Sequence, residues 1–274
     1  MFTRLITAAV VATFALPAMA QDQSVEKQLF DALGMSDIIE IMREEGIVYG
    51  RQIGDDLLGG MVGTEWMAVV ETIYDVEMMK TVVAAQMHEE LEGADVQAML
   101  DFFSTDRGVR IIALEVLARR ALLDDAVEEA SKEAAAMASV DETPRFLQVQ
   151  RFVEANDLIE TNVVGAMNSN FAFYMGLMDG GALDGDITEQ QILTDVWSQE
   201  AEIRENTSEW VYSFSLMAYQ PLSDFDLDAY VAFSESDAGQ DLNSALFGAF
   251  DGLFDDISFA LGAASSVYMT GQEL

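Results

Sequence analysis

The sequence predicts an all-α protein built as two related helical bundles, and three observations carry that prediction. Proline occurs only at positions 17, 144 and 221, so long stretches contain no helix breaker. Apolar residues recur at helical spacing, and alternating strand patterns with turn signals are missing. The third observation is an internal repeat. The run Asp95-Val-Gln-Ala98-Met-Leu-Asp-Phe102-Phe103-Ser-Thr105-Asp106-Arg-Gly108 is echoed 131 residues later by Asp226-Leu-Asp-Ala229-Tyr-Val-Ala-Phe233-Ser234-Glu-Ser236-Asp237-Ala-Gly239. The same offset pairs Trp66 with Trp197, Glu71 with Glu202, Ala118 with Ala249, Leu122 with Leu253, and Asp124-Asp125 with Asp255-Asp256. The expectation is a tandem duplication.

The elements follow in order. Residues 1–20 carry Arg4, an apolar stretch from Leu5 to Leu16 and the small-x-small site Ala18-Met19-Ala20, the pattern of a secretory signal peptide cleaved before Gln21. The first unit, residues 21–140, opens with a helix around Asp37–Leu58. A long helix over Thr64–Glu90 follows, its apolar face set by Trp66, Val69, Val70, Ile73, Val76, Met79 and Val83. Then come a short helix ending at Phe102 and a long one starting near Thr105. Asp141-Glu-Thr-Pro144 marks the boundary, because proline disfavours helix in the residue before it. The second unit, residues 145–274, repeats the order: Asp157–Met178, Thr188–Tyr219, a short helix ending at Phe233, and a last helix from Ser236. Thr188 and Gln191 have capping-box spacing. The extra length of this unit falls in the Gly-rich segment 179–186.

The repeated run has a physical reading. Thr105 and Ser236 are N-caps, and Asp106 and Asp237 sit in the first turn, where the helix dipole favours an acid. Gly108 and Gly239 are unexpected there, since glycine inside a helix costs roughly 1 kcal/mol relative to alanine. Their recurrence predicts a tight corner with no room for a Cβ, and Phe102 and Phe233 are expected to dock into the core beside it.

An aromatic pair followed by a small hydroxyl residue, a glycine and a long helix resembles the domain of unknown function 2059 family. The resemblance covers Asp95–Ala130 and, more loosely, Asp226–Gly262. Phe102, Phe103 and Gly108 keep the pattern, while Thr105 stands for its serine and Asp106 for its proline. In the second run Ser234 occupies the second aromatic position, and Phe233, Ser236 and Gly239 agree. The resemblance implies a helical, exported domain and transfers no catalytic residue.

Charge narrows the partners. The chain holds 49 acidic residues against 13 lysines and arginines, a formal −36. From residue 152 onward only Arg204 opposes 22 acids. Such a field repels nucleic acid and anionic lipid. A hydrophobic content of 51% is nevertheless enough to bury cores. The most apolar stretch, Ala245–Ala264, carries Asp251, Asp255 and Asp256, so no membrane span is expected. Arg107, Arg110, Arg119 and Arg120 crowd one helix of the first unit, and some of them are expected to reach acids of the second.

Catalytic chemistry is hard to assemble from this chain. Cysteine is absent, which removes thiol catalysis and zinc–thiolate sites. The single histidine, His88, has no second histidine for a zinc-protease or di-iron pair. Ser24-Val-Glu-Lys27 has a Ser-x-x-Lys spacing without its partner motifs. Asp184-Gly185-Asp186 imitates part of an EF-hand but lacks its remaining ligands. The four carboxylates Asp124, Asp125, Asp255 and Asp256 would meet only if the units packed about a two-fold axis. Met78, Met79 and Met87, then Met167, Met175 and Met178, lie at helical spacing, either as core filler or as the lining of an adaptable groove. No catalytic residue, metal site or cofactor is expected. The sequence reads as a non-catalytic, periplasmic or secreted binding or scaffold protein whose partner is a protein or a small apolar ligand. A carboxylate-based metal-dependent hydrolase is the alternative.

Overall fold

A computed structural model describes residues 24–57, 59, 63–183 and 187–271. The signal peptide and its cleavage site, and the Asp184–Asp186 segment, lie outside the described residues. The rest is helical: α1 (Val25–Ala32), α2 (Met35–Leu57), α3 (Thr64–Ile73), α4 (Val76–Glu90), α5 (Val96–Phe103), α6 (Asp106–Ala121), α7 (Asp125–Val140), α8 (Pro144–Ala155), α9 (Leu158–Asp179), α10 (Glu189–Trp197), α11 (Glu200–Tyr219), α12 (Asp224–Ser234) and α13 (Asp237–Met269). No strand occurs among the described residues, and the fold is all-α. No helix of the described residues is long and apolar enough to cross a membrane.

Caps decide where these helices start. Ser24 opens α1 by accepting from Lys27 N–H, which gives the Ser-x-x-Lys spacing a structural reason. Thr143 caps α8, with Pro144 in the first turn, where a missing N–H costs nothing. Two expected long helices are broken. Thr64–Glu90 divides at Tyr74, because the Asp75 carboxylate accepts from Met78 N–H and starts α4 afresh. Thr188–Tyr219 divides at Ser198–Gln199, although Thr188 and Gln191 do form the reciprocal capping box. Asp124 likewise ends the helix that begins at Thr105 by capping α7 through Ala126 and Val127 N–H, whereas α13 runs unbroken for 33 residues.

The two bundles expected from the sequence interlock. The first core gathers Leu29, Ile39, Trp66, Val70, Met79 and Val83, and α13 completes it with Leu242, Ala245, Ala249, Leu253, Ile257 and Leu261. The second core gathers Val149, Phe152, Val211, Tyr219, Leu227 and Val231, and takes in Ile111 and Ala118 of α6. Each half therefore sends a long helix into the core of the other. A third, smaller cluster packs α9 on α10 through Val163, Met167, Ile192 and Val196.

Helix α13 runs parallel to α9 and antiparallel to α4. Successive contacts pair Gly165 with Asp251, Ser169 with Asp255, Gly176 with Phe259, and Gly180 with Ser266, while Gly248 faces Glu90 and Gly252 faces Gln86. At the far end the α9–α13 seam is tight. A Cβ on Gly176 would strike the Phe259 carbonyl oxygen, and one on Gly262 the Phe173 carbonyl oxygen.

The repeated corner is built the same way twice. Thr105 Oγ1 accepts from Gly108 N–H at 3.0 Å and donates to the Phe102 carbonyl at 2.7 Å. Ser236 Oγ accepts from Gly239 N–H at 3.2 Å and donates to the Phe233 carbonyl at 2.6 Å. A Cβ on Gly108 would lie 2.5 Å from Phe103 Cα, and one on Gly239 2.8 Å from Ser234 Cα. Phe102 and Phe233 are only half-buried and stack on each other, with centroids 4.2 Å apart and planes at 16°. Each corner thus presents its phenylalanine to its counterpart, while Phe103 and Ser234 take the buried positions.

The tryptophan pairing does not hold in three dimensions. Trp66 is 0% exposed, donates its indole N–H to the Gly50 carbonyl at 2.7 Å and meets Tyr268 edge-on. Trp197 ends α10 and is 62% exposed. The inward pair on α3 is Trp66 and Val70; on α10 it is Ile192 and Val196, at the same spacing of four. Ile192, not Trp197, is buried on α10 as Trp66 is on α3.

The arginines of α6 divide by position. Arg107, near its start, pairs with Asp226 of α12 at 2.8 Å and lies over the Phe225 ring, and Arg110 donates to the Pro221 carbonyl. Arg119 and Arg120, at its end, turn instead to Glu45 and Glu44 of α2. Only the first two make hydrogen bonds across the halves, because the start of α6 lies beside α12 and its end beside α2; Arg119 meets the second half through the Trp210 ring.

Two outcomes follow. Gly108→Ala and Gly239→Ala would gain roughly 1 kcal/mol if helix propensity governed. The corner predicts a loss of about 1–3 kcal/mol for each in denaturant unfolding. A double-mutant cycle on Arg107 and Asp226 should show favourable coupling that shrinks as salt is raised.

Candidate functional site

Where the halves meet, a cavity of about 680 Å³ opens between α2, α6, α9, α11 and α13. Its walls are mainly apolar: Met42 from α2, Ile112 and Val116 from α6, Phe214 from α11, Leu246 and Phe250 from α13. Volume and lining are those of a site for a small molecule. The aromatic cluster around the paired corners, including Phe103, Tyr230 and Phe233, forms one end of it.

Glu115 is the unusual group in this wall. Gly108, Ile111, Glu115 and Ala118 follow one another at spacings of three and four, so an acid stands in the buried stripe of α6. The corresponding stripe of α13 reads Gly239, Leu242, Leu246 and Ala249, with leucine in the place of the acid. Protein surrounds Glu115, and the surface it retains faces the cavity. Its Oε1 accepts from Tyr219 Oη–H at 2.6 Å and from Tyr230 Oη–H at 3.2 Å. Among the described residues no donor reaches Oε2. Burial pushes the carboxyl up to about 7, against the pull of the two tyrosine hydrogen bonds. The same enclosure, followed by the Glu115 charge, drives both phenols well above their ordinary value.

Other charges around the cavity are arranged differently. Arg119, one turn after Glu115, makes two hydrogen bonds to Glu45, at 3.1 and 2.8 Å, and lies over the Trp210 ring. It is the only basic side chain among the described residues of the lining. Asp251 of α13 also lines the wall, and burial, then the nearby Asp255, raises its carboxyl. Three lining asparagines use their side-chain N–H groups on main-chain carbonyls: Asn156 on Phe152, Asn162 on Leu158, and Asn243 on Asn156. Each keeps an acceptor oxygen and a second N–H to spare.

The residues singled out in the sequence are distributed unevenly around this site. Phe233 and Gly239 line the cavity, whereas Phe102, Thr105, Gly108 and Ser236 shape its end from behind. Met79, Met87 and Met167 are buried in cores, and none of the methionines singled out lines the cavity; Met35 and Met42 do. His88 is 74% exposed, 3.9 Å from Glu26. The four aspartates do not assemble: Asp124 caps α7 on the α11 side, while Asp255 accepts from Ser169 of α9. Among the described residues no three His, Cys, Asp or Glu side chains converge as a metal would require. Glu115 escaped the sequence reading, although an acid inside an apolar helical stripe is a legible signal.

The raised acid has a consequence for stability. A carboxyl at about 7 when folded, against an ordinary 4.5, binds its proton more tightly in the native state. Stability is therefore lost as pH rises between those values, by at most on the order of 3 kcal/mol. Glu115→Gln keeps an acceptor for both tyrosines and should remove this loss. The difference between variant and parent in denaturant unfolding should grow from pH 4.5 to 7 and then stay level; a constant difference would show that Glu115 titrates normally. Comparison of the whole chain with protein-family models, curated proteins and solved structures finds no match.

Proposed function

We propose that the protein is a non-catalytic, exported binding protein that encloses a small, mostly apolar ligand between its two halves. One observation carries this reading: the cavity of about 680 Å³, apolar along most of its wall and furnished with a few polar groups from both halves. Export rests on the pattern of residues 1–20, and places the protein in the periplasm or outside the cell. The matching Gly108 and Gly239 corners support descent of the halves from one duplicated unit, with the displaced tryptophans marking their divergence. The same corners, and the Phe102-Phe103-x-x-x-x-Gly108 run, support kinship with the domain of unknown function 2059 family. The metal-dependent hydrolase has no observation in its favour among the described residues.

A neutral fluorescent probe such as N-phenyl-1-naphthylamine tests the reading. One probe per folded chain should bind saturably with a blue shift. Leu246→Trp, which fills the cavity from α13, should weaken binding at least tenfold without lowering the melting temperature by more than a few degrees. Binding indifferent to the filled cavity would place the probe elsewhere and sink the proposal.

A further inference from the structure

We infer that the ligand is a lipophilic amine: an apolar body carrying a protonated nitrogen, with Glu115 as its counter-ion inside the cavity. The inference rests on the enclosing cavity proposed above and names the class of molecule that fits it.

Three features of the wall point the same way. Glu115 has one oxygen held by Tyr219 and Tyr230 and the other without a donor among the described residues, so the carboxylate offers a ready acceptor toward the cavity. Asn156, Asn162 and Asn243 each place one amide N–H on a main-chain carbonyl and keep an oxygen to spare along the same wall. Of the charged groups in the lining, Arg119 and Glu45 neutralise each other, while Glu115 and Asp251 have no cationic partner. A wall that offers unpaired acceptor oxygens and is negative overall favours a ligand that donates and is positive. A carboxylate or phosphate would find no counter-ion there. The −36 of the whole chain adds a field that draws cations toward the protein, although it cannot by itself select among them.

The pairing also fits the energetics of the empty site. An enclosed carboxylate with no positive partner is costly to ionise, and a cation beside it offsets that cost. The groups facing this region are Tyr219 of α11, Tyr230 of α12, Arg119 of α6, Glu45 and Tyr49 of α2, Tyr74 after α3, and Asp251 of α13. All the phenols shifted here move upward, away from neutrality, whereas Glu115 is pushed up to about 7 and burial raises Asp251 as well.

A matched set of probes separates this inference from the reading beneath it. Decylamine, decanol and decanoate share one chain and differ only in the head group. Each is titrated below its micelle concentration against the naphthylamine probe bound to the full-length protein. At pH 8 decylamine should displace the probe about tenfold more effectively than decanol or better, because charge-assisted hydrogen bonds are roughly twice as strong as neutral ones. Decanoate should be the weakest. Glu115→Gln should abolish the preference for the amine, with decylamine losing far more than decanol. In the unmutated protein the preference should fade as pH falls through about 7, where Glu115 takes up its proton. Equal displacement by all three probes, or an amine preference that survives Glu115→Gln, would overturn the inference and leave the enclosing cavity standing. Failure of all three probes and of the naphthylamine would overturn both.

Discussion

Two helices that begin 79 residues apart in the chain, α9 and α13, must run side by side closely enough for backbone to touch backbone, and the rest of the arrangement depends on that approach. Glycine makes it possible. With Gly176 against the Phe259 carbonyl and Gly262 against the Phe173 carbonyl, the seam closes at one end with no side chain between the helices. Toward the other end, α9 from Leu158 to Asn170 and α13 from Gly239 to Ser258 form cavity wall instead. Helix α13 also lies against α4 at Gly248 and Gly252, so this one helix is committed to two partners at once. A larger side chain in the seam would push α13 off α9 and carry the first core with it.

The parts of the fold visible in the sequence are those settled by local chemistry. The Thr105–Gly108 and Ser236–Gly239 corners could be read from the residues alone, because a cap and a missing Cβ act within a few positions. Breaks in the long helices were harder to see. Asp75 and Asp124 are efficient caps, but in a chain with 49 acids an aspartate signals little until its neighbours are known. The Trp66–Trp197 pairing misled because identity at one position was taken for equivalence of place, whereas α10 turns Ile192 and Val196 inward and leaves Trp197 exposed. The cavity was illegible for another reason. It lies where helices far apart in the chain interlock, and no pattern within a window of residues encodes that exchange.

Glu115 belongs to an intermediate class. Its burial could be deduced from the stripe it interrupts, and the α13 stripe shows how the same position looks without it, as Leu246. A leucine there would have filled the space and removed the need for two tyrosines to hold a carboxylate. The acid lowers the stability of the empty protein at neutral pH and gives the cavity its one strongly polar, unneutralised point together with Asp251. Sites that depart from what folding alone would favour are where binding is commonly found.

The exchange of long helices also governs the order in which the molecule can be assembled. Trp66, Val70 and Met79 belong to the first half, yet the side chains that cover them include Leu253, Ile257 and Leu261 near the end of α13. A chain emerging N-terminus first cannot close its first core until α13 has been synthesised. Until then the early helices carry uncovered apolar faces, kept in solution by their dense negative charge. Long-range closure of this kind makes for slow folding. Helix α13 is therefore the latch of the first half.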